Sequence, residues 1–300
     1  MQRSFIDRYP AAGLALAMVI SGTVGAFVTE AGLDPVTTVF WRCVFGSVAI
    51  GSWCLMRGYF GEGKLVPSRL ALAALGGVLM VSNWVVFFAA FSMTSIATTT
   101  IVYHIQPFFV VLIGVLFFKE RITLDQLGWM AAAFVGVVLA SGIAFSSGAI
   151  STRWLLGIGL TLFGSMLYAS TTIVAKSLGQ QRAEITAFCQ TLVGIVLLAP
   201  FVHFSQSISP ASWGWLLGIG ILHTGVAFVL MYSAFPRLKT PMIGILTFIY
   251  PLVAIVVDWA IYHHPLGIDQ AAGLVLIAVA TLGVRLGWRV PRRQSAVPAE

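Results

Sequence analysis

Four aromatic residues, Trp84, Phe87, Phe88 and Phe91, recur at i, i+3, i+4 and i+7 in an apolar stretch, so on a helix they line one face. Uncharged polar groups accompany them: Asn83, Thr98–Thr100, Tyr103, His104, Gln106, Thr171, Thr172 and His223. An aromatic face with a few hydrogen-bonding groups can stack on a flat apolar body and fix its polar end, which is the chemistry of binding rather than of bond making. It can also hold an ammonium by cation–π contact. Asn83, next to Trp84, is the best candidate for the polar end of a ligand, such as an amino-acid carboxylate or amine. Tyr103, Tyr168, Phe228 and Tyr232 can complete the cage, and His104 and His223 can donate hydrogen bonds or relay protons. The bland alternatives are that the aromatics face lipid or a neighbouring helix and that each histidine ties two helices together.

Charges within apolar stretches are few: Glu30, Arg42 and Asp258. A charge in a bilayer is costly, so a partner or a functional role is the default expectation. Arg42 paired with Glu30 or Asp258 can form an outer gate, or one carboxylate can carry a coupling proton. Snorkelling to headgroups is the alternative for Glu30. No Lys or Arg is expected near mid-depth, which favours a zwitterionic or cationic ligand over a phosphate. Pro107 and Pro251 form a third group. Each falls near the middle of an apolar segment, where it leaves the carbonyl four residues earlier, that of Tyr103 or Thr247, without its helical partner. Two such kinks, matched in position, are expected to act as hinges beside a cavity. An isolated proline would carry no such meaning.

The elements that position these residues come in two copies. Residues 80–136 and 224–280 match at an offset of 144: Ala90-Phe91 falls on Ala234-Phe235, Ile101 on Ile245, Pro107 on Pro251, and Asp125-Gln126 on Asp269-Gln270. The aromatic face then has its counterpart in Phe228, Met231, Tyr232 and Phe235. Further upstream, Phe40-Trp41-Arg42 with Gly46 answers Phe188-Cys189-Gln190 with Gly194. Apolar segments fall near 10–30, 34–55, 68–92, 95–117, 124–144, 153–177, 183–203, 211–235, 240–262 and 267–288. Each is about 20 residues or slightly more, enough for one crossing. Five crossings per copy is an odd number, so the second copy is expected to sit upside down relative to the first. The expected fold class is an all-α polytopic membrane protein of ten transmembrane helices in two inverted repeats, 1–147 and 148–288. A disordered basic tail, 289–300, is expected to follow. Inverted repeats of this kind place a substrate site at mid-depth between the copies.

Composition agrees. The 300 residues are 59% hydrophobic and 9% charged, with a mean hydropathy of +0.96, far from a soluble domain. With a cytoplasmic N-terminus, 15 of the 17 Lys and Arg fall on the inner side, leaving Arg153 outside and Arg42 within a span. Both termini are therefore expected in the cytoplasm, and the net charge of +7 implies no nucleic-acid partner. The first segment is too long for the core of a signal peptide and completes the repeat, so an uncleaved helix is expected. Cys43, Cys54 and Cys189, odd in number and in apolar segments, give no disulfide framework and no zinc spacing. Neither a phosphate-binding loop motif nor room for a soluble catalytic domain is present, so no cofactor, no enzyme activity and no ATP-driven step are expected.

These features resemble the drug/metabolite transporter superfamily of EamA type. The carriers are Phe40-Trp41-Arg42, the proline of the fourth and ninth helices, and Lys119-Glu120-Arg121-Ile122-Thr123 running to Gly128. In the second half His264-Pro265-Leu266 replaces the acidic turn, while Gln270 and Gly273 keep the spacing. Within the superfamily the chain is most similar to bacterial exporters of aromatic amino acids. The resemblance implies a basket of helices around a central cavity, and amino acids and related aromatic metabolites as small-molecule substrates. It also implies export across the bacterial inner membrane, with lipid as surroundings and no obligatory protein partner. Two other readings stand beside it. One is export of aromatic cations by a member of the same superfamily, which an acidic residue in the cavity would favour. The other is a membrane-embedded enzyme using Asp258, His263, His264 and Asp269, although adjacent histidines cannot easily share one helix face.

Overall fold

Prolines and small hydrogen-bonding residues start the helices. Pro10, Pro35, Pro67 and Pro210 sit in first turns, where the missing N–H would have no partner in any case. The Asp34 carboxylate accepts from Thr37 N at 3.0 Å, Ser151 Oγ from Trp154 N at 3.1 Å, and Ser209 Oγ from Ser212 N at 3.1 Å. The structure, a computed structural model, describes residues 8–61, 66–91, 93–94, 99, 102–140, 151–263 and 267–288. Among these residues the chain is helical throughout: α1 Pro10–Ala31, α2 Pro35–Met56, α3 Pro67–Phe91, α4 Gln106–Phe118, α5 Leu124–Ala140, α6 Thr152–Ser177, α7 Ala183–Phe201, α8 Pro210–Arg237, α9 Thr240–Tyr262 and α10 Ile268–Leu286. The tail 289–300, His264 and Thr98 and Thr100 lie outside the described residues. So do the side chains of Phe88, Phe91 and Asp258.

Eight of these helices are long and apolar enough to cross a membrane. α4 and α5, at 13 and 17 residues, are apolar but shorter than the ~20 residues of a full crossing. The burial pattern is that of a protein whose solvent is lipid. Leu116, Phe117, Val196 and Val275 point outward, whereas Ser47, Asn83, Gln190, Thr191, His223 and Thr224 are buried.

The repeat survives in detail. Thr123 and Gln126 exchange hydrogen bonds at the start of α5, and at the start of α10 Gly267 N donates to Gln270 Oε1 at 2.8 Å, both at the 144 offset. Lys119 and His263, also 144 apart, close α4 and α9 in the left-handed region at φ 52° and 55°. Packing interlocks the halves. α1 packs on α8 and α9 as α6 packs on α3 and α4; α2 packs on α8 as α7 packs on α3; and α5 lies along α10. One contact joins a residue to its own counterpart: the rings of Trp84 and Phe228 stack at 6.4 Å, while nearby Ser47 Oγ of α2 donates to Thr191 Oγ1 of α7 at 2.7 Å. A residue can touch its own counterpart in this way only on a twofold axis.

The prolines differ from expectation. Pro107 lies in the first turn of α4. Pro251 lies in the first turn of the second piece of α9, which is helical over Thr240–Leu246 and again over Ile249–Tyr262. Neither bends a continuous helix. Each begins a new piece after a break at matched positions. The freed carbonyls find partners: Tyr103 O accepts from Ser165 Oγ at 3.1 Å, and Thr247 O from Tyr250 N at 3.2 Å.

Candidate functional site: an arginine in an aromatic core

The geometry of the site begins with two glycines. A Cβ on Gly220 would lie 2.3 Å from Phe45 Cβ, and one on Gly46 would lie 2.7 Å from Thr224 Cγ2. α2 and α8 therefore approach closely, as small residues permit in membrane bundles. Opposite α2, residues Ile219–Val226 of α8 wind as a π-helix, a form common at functional positions. Together these place Arg42 in reach of the π segment: its Nε donates to Thr224 Oγ1 at 2.7 Å and its Nη2 to the His223 carbonyl at 3.2 Å.

The guanidinium reaches the pseudo-twofold axis. Its carbon lies 4.6 Å from the Trp84 ring centroid and 5.3 Å from that of Phe228. Each such contact stabilises a desolvated cation by up to ~2 kcal/mol. Tyr232 and Tyr250 lie within electrostatic range of Arg42. Of the two expected gate partners of Arg42, Asp258 has its side chain outside the described residues, and Glu30 is engaged elsewhere. Glu30 accepts from Tyr262 Oη at 3.1 Å, and among the described residues the ion pair present is Lys176–Glu120, not one with Arg42. The expectation of no cationic group at mid-depth also needs correcting. An arginine side chain is long, and Arg42, in the N-terminal half of α2, carries its charge to the axis.

A second aromatic group adjoins the first. Tyr103 packs on Phe87 at 4.3 Å and on Tyr168 at 6.2 Å, and His104 stacks on Tyr250 at 5.9 Å. Phe228 in turn contacts Tyr232 at 5.5 Å. The structure therefore brings together Trp84, Phe87, Tyr103, His104, Tyr168, Phe228, Tyr232 and Arg42. His223 lies behind Arg42, with its Nε2 2.9 Å from Thr23 Oγ1. Tyr250 and Gln190 belong to the core but were not singled out. Gln190, fully buried, accepts from Tyr232 Oη, and it is the counterpart of Arg42 in the other half. That correspondence was the signal available in the sequence. Thr171 and Thr172 turn their hydroxyls back onto carbonyls of their own helix.

Asn83 is differently employed from the expected substrate contact. Its Nδ2 donates to the Gly164 carbonyl at 2.7 Å and its Oδ1 accepts from Tyr103 Oη at 3.0 Å, so it ties α3 to α6 and to Tyr103. Asn83→Leu leaves that carbonyl and that hydroxyl without partners in the core, at a cost of about 1–3 kcal/mol. The expected result is a lower thermal midpoint in detergent. Residual folded protein should keep its ligand affinity within a few-fold.

The core is packed rather than open. Beside Arg42 a cavity of ≈ 60 Å³ runs between α1, α2 and α8, bounded by Leu33, Thr38, Val39 and Ile219. A larger groove of ≈ 510 Å³ lies between α4 and α5, walled by Phe108, Phe109, Leu112, Leu127 and Phe134. That wall is wholly apolar, so the groove suits lipid rather than a polar ligand. At one end of the bundle a different tie joins the halves. Lys176 Nζ meets Glu120 Oε1 at 2.5 Å and donates to the Leu238 carbonyl at 2.7 Å. The other Glu120 oxygen accepts from Thr240 N and Oγ1, both at 2.7 Å.

An apolar surface, a polar interior and two interlocked halves meeting at an aromatic core define a multi-pass membrane transporter built from a repeat. The chain belongs to the EamA-like transporter family, whose profile matches residues 10–142 and 155–286. It is 31% identical over 268 residues to the uncharacterized transporter YxxF of Bacillus subtilis, covering 88% of this chain and 85% of that one. It is 28% identical to the pseudopaline exporter CntI of Pseudomonas aeruginosa, over 91% and 95% of the two chains. It is 24% identical to a probable terminal-alkyne amino-acid exporter of Streptantibioticus cattleyicolor, over 86% and 96%. A solved crystal structure superposes with a TM-score of 0.79 at 17% identity, over 92% of this chain and 96% of that one, a likeness of fold.

Proposed function

We propose that this protein is a secondary transporter that exports amino acids, neutral and aromatic ones foremost, and related small metabolites across the bacterial inner membrane. Both termini then lie in the cytoplasm and the second half is inverted relative to the first. The halves alternate access about the breaks before Pro107 and Pro251. The observation that carries this reading is the stacked pair Trp84 and Phe228. These counterparts lie on the axis between the halves, so any rocking of one half against the other opens or closes the space between them. Tyr103, Tyr168 and Tyr232 give that space flat walls suited to a ring. The positive charge of Arg42 beside both rings counts against the aromatic-cation alternative. Relatives named as exporters of an amino acid and of pseudopaline agree with substrates of this size class.

Transport in liposomes tests it. Labelled Phe, Trp, Leu, Met and Lys are offered to the purified protein at matched and opposed pH gradients. Saturable flux of the neutral amino acids, strongest for Phe and Trp, is the expected result, and its response to the gradient reports proton coupling. Trp84→Ala should lower aromatic flux about tenfold or more, equivalent to losing roughly 1.4 kcal/mol of stacking and burial. Vesicles with verified insertion and no flux of any of the five would overturn the assignment.

A further inference from the structure

Arg42 has more donors than the protein uses. A guanidinium carries five N–H groups in a planar fork. Nε and one hydrogen of Nη2 are taken by Thr224 and the His223 carbonyl, and no other acceptor is present among the described residues. Trp84 and Phe228 lie on the same side of the guanidinium rather than on opposite faces, because their rings stack on each other at 6.4 Å while lying 4.6 and 5.3 Å from its carbon. With the rings on that side and the bonds of Nε and Nη2 made, Nη1 and the second hydrogen of Nη2 form the edge at which the charge can be met. No carboxylate among the described residues meets it, and the cavity of ≈ 60 Å³ borders Arg42 itself. A charge buried in this way is one that an anionic ligand can complete.

We infer that Arg42 is the receptor for the carboxylate of the transported substrate. Its free edge binds the carboxylate in two parallel hydrogen bonds, and the apolar body of the ligand lies against Trp84, Phe228 and the tyrosines beyond them. This deepens the amino-acid reading and rests on it for the identity of the substrate. Planar guanidinium matches planar carboxylate in a way that the point charge of lysine does not. The assignment also explains an asymmetry. The counterpart of Arg42 is Gln190, which is bound to Tyr232, so only one of the two related positions offers a cation. A single charged anchor on a symmetric aromatic platform fixes which end of the ligand enters first. A carboxylate, not an amine, is then the group that every good substrate must have. The substrate class is carboxylates of small apolar or aromatic molecules, with an α-amino group tolerated rather than required.

Three ligands that share a ring separate the contributions: phenylalanine, phenylpropionate, which lacks the amine, and phenethylamine, which lacks the carboxylate. Each is titrated against purified wild-type protein by thermal shift and tested as a competitor of labelled phenylalanine flux. Binding of the two carboxylates, with phenethylamine at least tenfold weaker, is the expected wild-type result. Arg42→Lys should weaken both carboxylates by about 10–100-fold, the loss expected for a charge-assisted bidentate contact. Arg42→Gln should make phenylalanine and phenethylamine equal. Thr224→Val, which removes the acceptor holding Nε and the hydroxyl bond to the Ile219 carbonyl but keeps the guanidinium, should weaken carboxylates less than Arg42→Lys does and guards against variants that fail to fold. If wild-type protein binds phenethylamine as tightly as phenylalanine, the inference falls while amino-acid transport can still stand. If phenylpropionate binds through Arg42 but no amino acid is carried, the inference stands and the amino-acid reading falls. Carboxylate selectivity retained in folded Arg42→Gln overturns it directly.

Discussion

Replacing Glu120 with Gln is expected to destabilise the protein by about 2 kcal/mol and to loosen one end of the bundle. The carboxylate holds two elements: Lys176 at the end of α6, and the backbone N–H and hydroxyl of Thr240 at the start of α9. Glu120 follows α4 in the first half, and its partners are all in the second. Charge-assisted hydrogen bonds of this kind contribute ~1.5–3 kcal/mol each. Gln keeps an acceptor for Lys176 or for Thr240 but leaves the ammonium, with its side chain only 9% exposed, without a counter-charge. Burial alone would push the Glu120 carboxyl up. The hydrogen bonds from Lys176 and Thr240 and the charge of Lys176 outweigh that and hold it below the usual carboxylate range. A lowered folded value means that the stabilisation is complete above the ordinary value and is lost as pH falls through the folded one. Thermal midpoints of wild type and Glu120→Gln should therefore differ by a constant amount near neutral pH and converge only in acid. A difference that instead grows from pH 6 to pH 8 would contradict this account.

The same contact bears on the transport cycle. Halves that rock past each other must break this tie to open the end that carries it. Its counterpart position in the second half is His264, which offers no carboxylate, so the repeat is symmetric in its core but not at its ends. Glu120→Gln should accordingly open that end more readily. Accessibility of a single cysteine placed at Leu178, buried beside this tie, to a water-soluble maleimide is the measurement, in a background with Cys43, Cys54 and Cys189 removed. Labelling that is faster in Glu120→Gln than in its parent is the expected result. Equal rates would leave the ion pair as a stability element without a part in opening.

Much of this arrangement was legible in the sequence because a repeat is a geometric statement. The 144-residue offset paired Trp84 with Phe228 and Pro107 with Pro251, and the structure stacks the first pair and breaks its helices before the second. Spacing showed which residues share a helix face. It did not show how each helix is rotated towards its neighbours, and that rotation decided the fate of Asn83, whose amide turns to the Gly164 carbonyl. Arg42 was misjudged for another reason. Its Cα lies in the N-terminal half of α2, but the side chain is long and a π-helical segment of α8 supplies its acceptors. Hydrophobic periodicity carries no mark of a π-helix, so only the correspondence of Arg42 with Gln190 pointed to the axis. Glu120 was visible in the sequence as part of Lys119-Glu120-Arg121 but not as a bond. A carboxylate in a loop between spans has no period to betray its partner.

A methyl group added at Gly273 is expected to separate α5 from α10 and to cost about 3 kcal/mol, near the upper end for overpacking. The Cβ of Gly273→Ala would lie 2.5 Å from Ala140 N and 2.5 Å from Gly136 O. Both are backbone atoms, so no rotamer can relieve the overlap, and one helix must move bodily away from the other. α5 and α10 run along each other as counterparts, Asp125-Gln126 matching Asp269-Gln270, so the displacement propagates along both. Gly128 on the same α5 is the control, because a Cβ there meets nothing within 4 Å. Gly128→Ala should be neutral or slightly stabilising, since alanine loses less backbone freedom in a helix. The site gives a second contrast. α5 and α10 contribute none of the rings around Arg42, so folded Gly273→Ala should bind phenylalanine within a few-fold of wild type while melting well below it. Binding lost in proportion to stability would instead mean that this seam and the aromatic core move as one body.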